Sequence, residues 1–297
     1  MTSPTFKDGW CLIMAIWGER YHAGYPNQIA SAVAAHSPEC TDMLLVTDRI
    51  REGLHPRIRQ VLIPEAFMKP EFFKGGYPVK LSIFLTPGVA PETRCVFVDL
   101  DTVVLGDLGR LATLVQSHND VRMLPPSMLG FNPLSRWLYR MTGGKHFRTG
   151  NSSLLAFSSS ASPNLAETFL ARHETPSRRD APFMKIDDRF ISWFAQQTLR
   201  GVPTSIAVML RREFLSRVPG VIARRSRSPA RARTRAGLAA VTLNGVSTKP
   251  EALLNQAIGA VLEDGKGRKG LWGPSGFHPI FDAFRDRVQA ITDGAEP

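Results

Sequence analysis

The chain is poor in cysteine, in long apolar runs and, over one stretch, in acids, and each scarcity removes a class of protein. Its three cysteines, Cys11, Cys40 and Cys95, are odd in number and far apart. They form no Cys-x-x-Cys or Cys/His ligand spacing, so a reduced cytoplasm and no zinc are the expectation. The seven histidines make no i,i+4 pair around a glutamate, which argues against a zinc hydrolase. The longest early apolar run, Cys11 to Trp17, is far short of the roughly 20 residues a membrane helix needs, and no small-residue cleavage site follows it. It reads as a buried strand. The loop after it, Trp17-Gly-Glu-Arg-Tyr21, has a single glycine, where a nucleotidyltransferase would need a glycine-rich basic loop. No internal repeat is present.

What is there suits one large core, with 297 residues of which 43% are hydrophobic. The net charge of +11 is local. Arg211 to Arg235 holds nine arginines against one acid, Glu213, and so accounts for eight of those charges. Such a stretch reads as a solvated basic linker or as an arm for acidic lipid, an acidic glycan or nucleic acid. It lacks the interleaved aromatics that stack bases, which argues against nucleic acid.

Strand signals at Cys11–Ile16, Met43–Thr47 and Gln60–Ile63, with a helix over Asn27–His36 between the first two, predict a mostly parallel sheet. Lys74-Gly-Gly leads into an expected short amphipathic helix carrying Lys80. A fourth strand is expected over Cys95–Leu105, apolar on both parities as in a central strand. Ser127 to Lys145 reads as an irregular lid or acceptor-facing loop. Thr149 to Phe157 is a polar turn entering another strand, and Asp187-Asp188 opens a helix at the end its dipole favours for acids. Beyond the arginines a returning strand (Ala240–Gly245), a helix (Pro250–Leu262) and a last helix (Pro279–Ile291) are expected. The last carries Phe281, Phe284, Val288 and Ile291 on one stripe.

Asp99 and Asp101, two apart on a strand, would project to one side. Unpaired carboxylates in an apolar strand cost several kcal/mol each by desolvation, roughly, unless a cation or strong donors compensate. Their oxygens suit magnesium or manganese, ions that complete their shells with phosphate oxygens and water. A Lewis acid on a diphosphate lowers the barrier to its departure from an oxocarbenium-like sugar. A haloacid-dehalogenase-type phosphatase would need a threonine where Val103 stands.

The ordered set Trp17–Tyr21, Leu44–Asp48, Lys80-Leu81, Val98–Val104, Asn151–Ser153 and Asp187-Asp188 resembles nucleotide-sugar glycosyltransferases of the GT-A fold, particularly bacterial enzymes similar to family eight. The resemblance implies an α/β fold with a mostly parallel central sheet flanked by helices, a single domain with a C-terminal helical extension. Residues 1–210 would be the nucleotide-sugar-binding part, 211–236 the basic linker or arm, and 237–297 a return strand and helices completing the domain. It implies transfer of a sugar from a nucleotide diphosphate, a UDP-sugar with Mn2+ or Mg2+, to a glycan or lipid-linked acceptor. Asp99 and Asp101 would hold the metal. Ala15, Trp17 and Tyr21 would lie near the nucleotide, Lys80 would approach the donor, and Leu100 and Ser152 would join the donor site. Asn151 and Asp188 would stand beside the sugar and the reacting carbon. Family members carry a pattern resembling His-Gly-x-x-Lys-Pro near the C-terminus. Here Asn244-Gly245 and Lys249-Pro250 are the nearest match, with one extra residue between, so that Asn244 would be a third ligand and Gly245 and Lys249 would meet the phosphates. The implied location is cytoplasmic, with Arg211–Arg235 able to touch an anionic membrane surface. A non-catalytic protein that keeps the fold and binds an anionic polymer is the rival reading.

Overall fold

The computed structural model describes residues 5–85, 88–125, 133–142, 149–175, 183–218, 220–243 and 245–294. Residues 127–132 and 143–145 of the expected irregular lid loop, and Asn244, lie outside them, and the middle of that loop is instead a helix, Pro133–Met141. β1 (Trp10–Ile16), β2 (Cys40–Thr47), β3 (Ile58–Leu62), β4 (Arg94–Val98), β6 (Val121–Leu124), β7 (Asn151–Ser158) and β8 (Leu199–Gly201) form one sheet in the order β3-β2-β1-β4-β7-β6-β8. β1 pairs in parallel with β2 and β4, and β2 with β3. β7 runs antiparallel to both neighbours, and β8 is again parallel to β6. The mostly parallel α/β expectation holds.

Both faces of the sheet are covered, which explains why its central strands are apolar on both parities. On one face Leu12, Met14, Leu45, Val96 and Val98 pack with Ile29 and Val33 of helix α1 (Gly24–His36). On the other, Ile13, Leu44, Phe97 and Leu155 pack with Phe169 of α2 (Pro163–Glu174) and Phe190 of α3 (Asp187–Phe194).

The strand expected over Cys95–Leu105 is interrupted. β4 ends at Val98, Asp99 still donates its N–H to the Ser153 carbonyl, and after the turn at Leu100–Asp101 the chain enters a second sheet as β5 (Thr102–Val104). There β5 is antiparallel to β10 (Ala240–Thr242), which is parallel to β9 (Ala207–Met209). Hydrogen bonds thus leave one sheet and resume on another across Asp99–Asp101, and both carboxylates sit at that break.

Two other expectations change. The segment carrying Lys80 is a 3-10 run, Pro78–Leu85, and it is not amphipathic, since Pro78 to Phe84 are all buried. The helix expected from Pro250 to Leu262 stops at Leu254, and the chain goes on to a hairpin of β11 (Val261–Glu263) and β12 (Lys269–Leu271).

The arginine-rich stretch holds a single turn, Leu210–Glu213, then α4 (Val221–Ser226) and α5 (Pro229–Ala236), which the Ser228 hydroxyl caps. Arg235 is 1% exposed. Its Nε meets Glu213 at 3.0 Å and its guanidinium lies over the Phe214 ring at 4.6 Å. Packed below is a third core of Phe214, Leu243, Trp272, Phe277 and the stripe Phe281, Phe284 and Val288 of α6 (Phe281–Asp293). This is a folded part of the molecule, unlike the solvated linker the sequence suggests.

Candidate active site

A cavity of about 640 Å³ opens over the break between the two sheets. The C-terminal end of β1 and its loop supply Ala15, Trp17, Gly18 and Tyr21; the turn after β4 supplies Asp99, Leu100 and Asp101. Lys80 and Tyr77 come from the 3-10 segment and the turn before it, Asn151 from the start of β7, Asp188 from the first turn of α3, and Arg211, Gly245 and Lys249 from the C-terminal part. Ser152, beside Asn151, enters through hydrogen bonds. The residues expected to meet the donor are therefore gathered in one place, Asn244 lying outside the described residues.

The loop after β1 is held from outside. Gly18 donates its N–H to Asp48 at 3.0 Å, and Arg51 bridges the Gly18 carbonyl and the Asp48 carboxylate at 2.8 Å each. Burial works against the Asp48 charge, yet the Gly18 N–H and Arg51 hold its pKa below the ordinary value. This fixes Trp17, whose ring rests on Tyr77 with centroids 5.9 Å apart.

Tyr77 has φ of +55°, unusual for a bulky residue, and Gly76 before it has φ of +123°. A Cβ on Gly76 would lie 2.5 Å from the Lys185 carbonyl oxygen, and the Gly76 carbonyl accepts the Asp187 N–H at 3.3 Å. Only glycine lets this backbone pass so close to the start of α3. That contact brings Lys80 and the two acids of α3 together.

Lys80 is buried at the centre of the polar network. Its Nζ donates to Asp99 at 2.9 Å and to Ser152 Oγ at 3.1 Å, and stands 3.2 Å from Asp187. The Ser152 hydroxyl donates to Asp187 at 2.7 Å, and the Ser152 N–H donates to Asp188. Burial opposes the Lys80 charge, but Asp99, Asp187 and Asp188 outweigh it and raise its pKa. Burial raises the pKa of Asp99, against the pull of Lys80. Burial, then the charge of Asp187, pushes Asp188 up to about 6.

The second carboxylate has its own cation. Lys249 Nζ donates to Asp101 and, at 3.0 Å, to the Tyr21 hydroxyl. Burial opposes the Lys249 charge, and Asp101 outweighs it to raise its pKa. Tyr21 packs edge-on against Tyr25 at 4.8 Å, and the Tyr25 hydroxyl donates to Glu251 at 2.6 Å. Among the described residues no group of three or more His, Cys, Asp or Glu is disposed to hold a metal. At the break itself Asp99 and Asp101 are each paired with a lysine.

Asp187, Tyr77 and Arg211 escape a reading by sequence alone. Asp187 looks like a helix-capping acid, Tyr77 like a turn residue, and Arg211 like one arginine of a basic run. The glycine pair before Tyr77 is the one signal that marks its backbone.

No sequence-family profile and no curated protein sequence matches the chain. Solved structures do. A galactosyltransferase, LgtC, in complex with donor and acceptor sugar analogues superposes with a TM-score of 0.54 at 13% identity, over 95% of this chain and 96% of that one. An active-site mutant of LgtC gives 0.53 at 13% identity, over 81% of this chain and 89% of its own. WbbM, a bifunctional glycosyltransferase, gives 0.57 at 11% identity over 99% of this chain and 53% of its own. At such identities the likeness speaks for the architecture, and the chain has the GT-A glycosyltransferase fold.

Proposed function

We propose that the protein transfers a sugar from a nucleotide diphosphate sugar, a UDP-sugar with Mn2+ or Mg2+, to a glycan or lipid-linked acceptor. The observation that carries this reading is the convergence of Asp99, Asp101, Lys80, Lys249, Asn151 and Asp188 on one cavity, at the point where the chain leaves one sheet for another. A pocket of about 640 Å³ falls in the range that buries a ligand of this size.

The carboxylates fit a hard divalent cation. Asp99 is desolvated with its charged form disfavoured, the state that an added cation relieves. Asp99 and Asp101 would hold the ion, with Asn244 as a further oxygen ligand and the rest of the shell left to phosphate oxygens and water. When bound, such an ion neutralises charge developing on the departing diphosphate. Lys249 would exchange its hold on Asp101 for a diphosphate oxygen, with Gly245 beside it. Lys80 keeps Asp99, Ser152 and Asp187 in register. Trp17, Tyr21, Ala15 and Leu100 form the wall against which the nucleotide rests. Asn151 and Asp188 face the sugar, and the Asp188 carboxylate accepts a hydrogen bond from a sugar hydroxyl.

Among the described residues no helix is long and apolar enough to cross a membrane. We place the reaction in the cytoplasm, where the arginines 224, 227, 231 and 233 of the α4–α5 region would meet the anionic inner face of a membrane. The site is tested by calorimetric titration of UDP with and without Mn2+. Wild type should bind UDP more tightly with the ion, by about tenfold or more, and Asp101→Asn should lose that gain. An unchanged gain in Asp101→Asn would remove the metal from this site.

A further inference from the structure

Two cations of the cavity have no use in the reaction just described: Arg20, which is exposed and lies over the Tyr21 ring, and Arg211, which is half-buried. Lys80 and Lys249 are each neutralised by carboxylates within the cavity. Arg211 is not. It lies in the single turn Leu210–Glu213, is half-buried, and lines the cavity with Asp188 and Gly245. Its Nε is buried with no hydrogen-bond partner, and its terminal nitrogen reaches only the Met209 sulfur at 3.7 Å. Among the described residues no carboxylate lies within ion-pair distance of it. Other arginines of the stretch are served: Arg231 and Arg235 by Glu213, Arg225 by the carbonyls of Arg212 and Glu213. Burial, then the charge of Arg268, pulls the Arg211 pKa below its ordinary value, with Asp188 pulling the other way. Arg268 is itself committed to Asp264 at 2.7 Å.

A guanidinium keeps its charge in such a place, so the cost of burying it is met only when an acceptor arrives. Among the described residues the Met209 sulfur is its one hydrogen-bond acceptor, and a neutral sugar would leave it without an anion. Arg211 lines the cavity together with Asp188, the acid on the side proposed for the sugar. We infer that Arg211 is the recognition point for a carboxylate carried by a sugar in this cavity, a hexuronic or related acidic residue, either on the donor or on the acceptor. The match is chemical, because the planar fork of arginine pairs with carboxylate through two parallel hydrogen bonds. The inference rests on the glycosyltransferase reading for the sugar's presence.

The test compares acid and neutral partners within each protein, so that a general loss of activity cancels. Nucleotide release is measured with UDP-glucuronate against UDP-glucose as donors, and with methyl glucuronide against methyl glucoside as acceptors, for wild type, Arg211→Met and Arg211→Lys. In wild type one of the two pairs should show a kcat/KM ratio of about 10 to 100 in favour of the acid. The pair that shows it tells donor from acceptor. Arg211→Met should bring the ratio near one and Arg211→Lys should retain part of it. No acid preference in either pair, or a preference that survives in Arg211→Met, overturns the inference. If wild type releases nucleotide from no donor, the glycosyltransferase reading fails separately. NMR-detected binding of methyl glucuronide and methyl glucoside to wild type and Arg211→Met then decides the role of Arg211: acid-selective binding lost in the variant upholds it, and equal binding refutes it. A matching loss of affinity for UDP alone in Arg211→Met would assign the residue to phosphate and also overturn the inference.

Discussion

Replacing Lys80 with methionine removes a cation from between the buried Asp187 and the partly buried Asp99 carboxylates while keeping most of the side-chain volume. The Lys80 side chain is 9% exposed, with Asp99 at 2.9 Å and Asp187 at 3.2 Å. Removing one partner of a buried pair costs about 3–5 kcal/mol, because the remaining charge is left desolvated. Asp187 is left without its cation in a buried place and Asp99 in a partly solvated one, so Lys80→Met should fall at the lower end of that range, about 3 kcal/mol, at a pH of about 7.5. The penalty has a pH signature. Burial already raises the Asp99 pKa against the pull of Lys80, so losing the lysine raises it further, and a group raised in this way favours the fold below its unfolded pKa and loses that contribution as pH rises through the folded one. The deficit of Lys80→Met should therefore be largest near neutral pH and shrink toward a pH of about 5. Asp99→Asn in the same chain should recover part of it. Guanidinium unfolding of the three proteins at both pH values is the assay. A deficit under about 1 kcal/mol at the higher pH, the size of an exposed pair, or one that grows as the pH is lowered, would refute the buried network.

Asp188 should act as a carboxylate, so kcat/KM for donor turnover should fall as pH drops through about 6, and Asp188→Asn should be slow and lack that limb. A limb of the same shape in Asp188→Asn would assign the ionisation elsewhere. Gly76→Ala should cost roughly 1–3 kcal/mol, since it forces a side chain onto a φ of +123° and into the Lys185 carbonyl. Equal denaturant midpoints for Gly76→Ala and wild type would refute the close contact. Glu213→Gln should destabilise the C-terminal core by about 3 kcal/mol or more by leaving Arg235 without its anion. Near-UV circular dichroism of Trp272 and its neighbours during thermal unfolding reads this, and an unshifted transition would contradict the burial of Arg235.

The sheet was legible because its signals are local: short apolar runs ending at Trp17-Gly18 and Asp48 state where strands stop. The grouping of Asp99, Asp101, Lys80 and Asp188 followed from motif order. What stayed hidden depends on contacts distant in sequence. That β4 ends at Val98 is set by β5 pairing with β10, a strand from the far end of the chain, and nothing in the run Val98–Val104 records a change of sheet. Arg235 and Arg211 look alike within a basic stretch, yet Glu213 and Phe214 bury one and the cavity takes the other. The helix expected after Pro250 ends early because Gly259 and Ala260 meet Trp272 across the hairpin, a contact the local pattern does not reveal.

The decisive measurement is nucleotide release by the purified protein against a panel of UDP-, GDP- and other nucleotide sugars with Mn2+, with Mg2+ and with chelator. Release from one donor that depends on the ion and is lost in Asp101→Asn is the predicted result. No release from any donor, together with nucleotide binding indifferent to the ion, would contradict it and leave a GT-A fold whose cavity serves binding alone.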